Sequence, residues 1–151
     1  MKRLLLFGGA LTAIIVAFVA LGPTRVGAQF DSGLVDIVAG EQIYATNCAS
    51  CHGANLEGED DWRSPNADGQ LPAPPHDVTG HTWHHSDNVL FDYTALGGRE
   101  ALARQGVDFE SNMPGFAEIL SEQEIHDVLA FIKSTWSERE RAVQAARSSQ
   151  Q

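Results

Sequence analysis

Cysteine, methionine and positive charge are all scarce in this chain. Of its 151 residues only Cys48 and Cys51 are cysteines and only Met1 and Met113 are methionines, while ten lysines and arginines face twenty aspartates and glutamates. With no third cysteine, a zinc site would have to be completed by histidines or carboxylates instead of the usual thiolates. No strand pattern surrounds the two cysteines, so the βαβ setting that a thioredoxin-like redox dithiol needs is missing. The acidic excess argues against a nucleic-acid partner, whose phosphates would be repelled. Internal repeats are absent as well.

What is present is a spacing. Cys48-Ala49-Ser50-Cys51-His52 forms the C-x-x-C-H frame for covalent attachment of a c-type haem. Each thiol adds across one haem vinyl group to give a thioether, and the interval between the cysteines matches the interval between the vinyls. The adjacent imidazole then lies under the iron. Cys48 and Cys51 are read as the anchors of one covalently bound haem c per chain, and His52 as its proximal iron ligand. Met113 is the sole methionine beyond residue 28, and Pro114 restricts the backbone there. Its thioether is expected as the distal ligand, a soft donor that raises the reduction potential relative to two imidazoles. His76, His81, His84 and His85 compete for that position, and together they are also considered as a second metal site.

The first 28 residues read as an address. Lys2 and Arg3 precede an apolar run of 18 residues from Leu4 to Leu21, and Val26-Gly27-Ala28 offers a small-residue cleavage site. The run is longer than an ordinary signal core and reaches the lower limit for a spanning helix. Residues 1–28 are therefore either a cleaved signal peptide or a retained inner-membrane anchor through residues 4–21. Basic residues at the start keep that end cytoplasmic and send the remainder across, so residues 29–151 are expected as one periplasmic domain. Lys2, Arg3 and Arg25 belong to the address, which leaves seven basic against all twenty acidic side chains in the exported part, a charge of −13 before haem is counted. Such an acidic domain is expected to stay soluble and to be steered toward a basic docking face on a redox partner.

Along the exported part, Asp36 is placed to cap a helix carrying Ile37, Gly40 and Tyr44 at helical spacing into the cysteine motif. Residues 53–80 hold Pro65, Pro72, Pro74 and Pro75 and show no helical period. They are expected to wrap one edge of the haem, with Leu56, Trp62 and Leu71 as apolar contacts. A second helix is expected over 87–96, capped by Ser86 and ended by Gly97-Gly98. A third opens with the capping box Ser121-Glu122-Gln123-Glu124 and carries Ile125, Val128, Leu129, Ile132 and Trp136 on one face. Beyond Trp136 the residues turn polar, and 148–151 is expected to fray.

A helix leading into C-x-x-C-H, an irregular wrap, a downstream Met-Pro pair and a closing amphipathic helix together resemble the class I (monohaem) cytochrome c family, in a bacterial exported branch. The resemblance covers the chain after about residue 35. It implies an all-α fold with helices wrapped around one covalent haem, in which a glycine on the first helix faces an aromatic on the last; Gly40 and Phe131 resemble that pair. It also implies a backbone carbonyl that accepts from the proximal imidazole, for which Pro72 and Pro74 both stand. Trp83 and Arg99 are weighed as contacts to the haem propionates, against a packed indole and a solvated arginine, and His126 is expected to be solvated. The function implied is one-electron transfer between a redox donor and acceptor, with no catalytic residue. Two alternatives stay open: a membrane-tethered electron-entry subunit of an oxidase or dehydrogenase, and a haem enzyme or gas-ligand binder with an open sixth position.

Overall fold

The computed structural model describes residues 34–150, so the cleavage or retention of segment 1–28 lies outside the described residues. Within that range the chain is helical and no strand occurs. Helix α1 (Ile37–Asn47) starts where expected: Asp36 is in extended backbone, and its carboxylate accepts from the amides of Val38 and Ala39 at 3.0 Å. Cys48 then joins it to the short α2 (Ala49–His52). The proline-bearing segment that follows forms no helix until a single 3₁₀ turn at Thr82–His84. Four helices complete the order: α3 (Asp87–Leu96), α4 (Gly98–Arg104), α5 (Glu122–Ser134) and α6 (Glu138–Ser148).

The core forms where α1 crosses α5. Gly40 makes the crossing possible, because a Cβ there would sit 2.1 Å from the Asp127 carbonyl oxygen and 3.0 Å from the Cβ of Phe131. One turn further along, the rings of Tyr44 and Phe131 meet at 5.5 Å. The buried Asp127 carboxylate accepts from the Asp36 amide at 2.9 Å and from Gln123 Nε2 at 2.8 Å, tying the start of α1 to the side of α5. Tyr44, Ile125, Val128, Ile132 and Trp136 fill the space between. Both hydrogen bonds of the Ser121/Glu124 capping box are present, so α5 begins where the pattern places it.

Three features depart from expectation. Gly97-Gly98 ends α3 but does not end helix: Gly97, at φ +83°, turns the chain, and Gly98 opens α4. A side chain on Gly97 would meet the backbone of residues 113–115 at under 3 Å, so the glycine serves a close approach as well as a turn. Helix α5 stops at Ser134, and Trp136 belongs to the turn after it, buried with its indole N–H donating 2.7 Å to the His76 carbonyl. Beyond that turn the polar segment is α6, capped by Ser137 and held by the buried Gln144, whose amide donates to Asp87 and Ser148. Ser148 in turn accepts from the Asp87 amide at 2.9 Å, so it is docked and does not fray.

Candidate haem site

The cysteine motif reaches the core at the end of α1. Cys48 is half-buried, and burial first, then the neighbouring Cys51, push its thiol pKa up to about 11; Cys51 is exposed. His52 is buried, and its Nδ1 lies 2.9 Å from the Pro74 carbonyl oxygen. A carbonyl only accepts, so Nδ1 carries the proton and Nε2 keeps its lone pair, the form a metal ligand requires. Burial lowers the pKa of this imidazole, against the opposing pull of the Pro74 carbonyl and Glu59, and so favours the neutral ring. Of the two prolines considered for this bond, Pro74 makes it.

One short bond ties the wrap to the motif and two more close the wrap on itself. The Gly58 amide donates to the His52 carbonyl at 2.8 Å, the Glu59 amide to the Ala73 carbonyl at 2.9 Å, and the Ala73 amide to the Glu59 carboxylate at 2.6 Å. On the far side, the loop bearing Met113 is clamped to α3 and α4: Gly98 N donates to Met113 O at 3.1 Å, and Phe116 N donates to Thr94 O at 3.0 Å. Asn112 Nδ2 donates to Gln70 Oε1 at 2.6 Å and joins the two sides. No sequence signal marks that last bond, which spans two irregular segments.

Between these walls lies a cavity of about 670 Å³, within the ~300–1,000 Å³ typical of cofactor sites. Cys48, Cys51, His52 and Met113 all line it, on walls supplied otherwise mainly by apolar side chains such as Leu90, Phe116 and Ile132. One neutral imidazole, two thiols and one thioether on an apolar wall fit the haem expected from the motif. Trp62 and Leu71 line the cavity as expected, whereas Leu56 lies in the helical core. Neither Trp83 nor Arg99 lines it. Trp83 packs on the core, its buried Nε1 lacking a hydrogen-bond partner, and Arg99 is an exposed partner of Glu110 at 2.8 Å.

The four clustered histidines separate into different environments. His76 stacks on His52, with ring centroids 4.0 Å apart. His81 stacks on Trp62 at 5.2 Å and meets the edge of His85 at 5.3 Å; all three line the cavity. His84 lies outside it against Trp83, and His126 is exposed beside Phe91. Among the described residues no group of three or more histidine, cysteine, aspartate or glutamate side chains is placed to hold a metal ion.

Fold and site together define a small helical electron carrier built around one covalently bound haem c. The chain belongs to the class I cytochrome c family: the family model described as Cytochrome c matches residues 37–136. It is similar to cytochrome c-550 of Virgibacillus halodenitrificans, with 58% identity over 26 residues, 17% of this chain and 74% of that protein's sequence. No solved structure matches. Among the described residues no helix is long and apolar enough to cross a membrane.

Proposed function

We propose that residues 29–151 act in the periplasm as a one-electron shuttle between two redox proteins, with His52 and Met113 as the axial ligands of the haem iron. The observation that carries this reading is that the His52 imidazole and the Met113 thioether line one cavity together with the thiols of Cys48 and Cys51. The haem supplies the ferric/ferrous couple. The chain's residues do the rest. Pro74 fixes the tautomer of His52, and the Gly98 and Phe116 backbone bonds hold the Met113 loop in place. The apolar walls exclude water, which favours the less charged redox state. The acidic surface draws partners with basic docking faces, and residues 1–28 deliver the domain across the inner membrane.

The test is a spectrum of the ferric holoprotein. A weak far-red sulfur-to-iron charge-transfer band is expected, and Met113→Ala should abolish it and lower the reduction potential. A wild-type protein without the band, or a band that survives the substitution, would make a histidine from the 76–85 region the sixth ligand instead.

A further inference from the structure

His76 is held more closely than any surface histidine needs to be. Its backbone amide donates to the Leu56 carbonyl at 2.8 Å, and its own carbonyl accepts from the Trp136 indole at 2.7 Å. The ring is pinned as well: Nδ1 lies 2.8 Å from Thr82 Oγ1, and the edge of the Tyr44 ring closes a second side at 6.4 Å. Thr82 is buried, with its hydroxyl 3.4 Å from the Pro75 carbonyl that it donates to. Its oxygen is thereby oriented to accept from His76 Nδ1. So restrained, the ring lies nearly parallel to His52, 23° between planes and 4.0 Å between centroids.

We propose that His76 is a positioning residue for the proximal ligand, a planar backstop that fixes the rotational setting of the His52 ring. This rests on the reading of His52 as the iron ligand. An imidazole bound through Nε2 retains one soft motion, rotation about the metal–nitrogen axis. That motion swings Nδ1 away from its acceptor and sweeps the face of the ring sideways. The Pro74 carbonyl opposes the first displacement through the edge of the ring. The stacked His76 ring opposes the second through its face. A branched aliphatic side chain fills similar space without a plane, and so resists tilting but not rotation. The hydroxyl of Thr82 keeps the backstop itself from turning. Through Trp136, the turn after α5 fixes the stretch of backbone that carries the ring.

Three variants of the holoprotein test this: His76→Leu, His76→Phe and Thr82→Val. The readouts are the g-values of the low-spin ferric haem and the paramagnetically shifted ring resonances of His52, both of which follow the orientation of the ligand plane, together with the reduction potential. His76→Leu should shift the g-values, move the His52 resonances and change the potential while the far-red sulfur band survives. His76→Phe, which keeps a plane, should restore the wild-type pattern in large part. Thr82→Val should broaden the g-values, and it carries the test if His76→Leu fails to accumulate as holoprotein. Wild-type g-values and His52 shifts in His76→Leu would overturn the proposal, as would equal shifts in the Leu and Phe variants. A wild-type protein with no shifted imidazole resonances from His52 would overturn the ligand assignment itself, and His76's role with it.

Discussion

His85 stands among like charges. Burial first, then His81, His84 and Arg147, hold its imidazole pKa below the ordinary 6.5, so the folded protein binds this proton less readily than the unfolded chain does. Below about pH 6.5 the unfolded state takes up a proton that the folded state refuses, and the contribution of a neutral His85 is lost as pH falls through that window. His81 behaves alike, lowered by burial and then by His84 and Arg63. We therefore expect His85→Gln to flatten the acid side of the stability curve. Thermal unfolding of the holoprotein at pH 7 and pH 5 should show a smaller loss in the variant than in the wild type, and equal losses would remove His85 from the account. At this scale the sequence was legible where chemistry sets the spacing. Cys48 and Cys51 fit the attachment motif for haem c, which five consecutive residues ending at His52 contain. Pro74 could not be chosen over Pro72, and the stacking of His76 could not be seen at all, because each depends on the path of an irregular segment.

At the scale of elements, the crossing of α1 and α5 turns on one missing side chain. Gly40→Ala would place its Cβ 2.1 Å from the Asp127 carbonyl, against backbone that belongs to a helix and cannot swing away. The helices must separate, and we expect a loss at or above the ~1–3 kcal/mol usual for overpacking. Chemical denaturation of the holoprotein measures it, and a midpoint within error of the wild type would show that the helices slide apart freely. Helices α1 and α5 were legible because Asp36 and the Ser121/Glu124 capping box mark their starts, and α3 because of its apolar stripe, although Ser86 makes no side-chain capping bond there. Helix α4 was not, since it begins with a glycine and has only seven residues. Helix α6 escaped for another reason. It buries Glu140 and Gln144 where a pattern search looks for apolar residues, and it docks through the hydrogen bonds of Asp87 with Gln144 and Ser148.

For the whole molecule the dominant quantity is charge. On the proposed domain 29–151, seven basic and twenty acidic residues leave −13, and a partner with the proposed basic docking face would be attracted over distances set by the ionic atmosphere. Raising ionic strength from about 0.01 M to 0.1 M shortens that reach from ~30 Å to ~10 Å. Stopped-flow association with a basic redox partner should slow by about tenfold or more over this range. A rate indifferent to salt would leave solubility as the sole role of the charge. The sign of this charge was legible from composition alone, whereas the docking face is not, since composition carries no positions. The α1–α5 crossing also has a consequence in time. The haem motif follows α1 directly, but the helix that packs on α1 begins only at Glu122. On the proposed export N-terminus first, both thiols therefore emerge before the helix that supplies their wall. Attachment can begin before α5 is in place, and the cavity stays lined by both cysteines once it is.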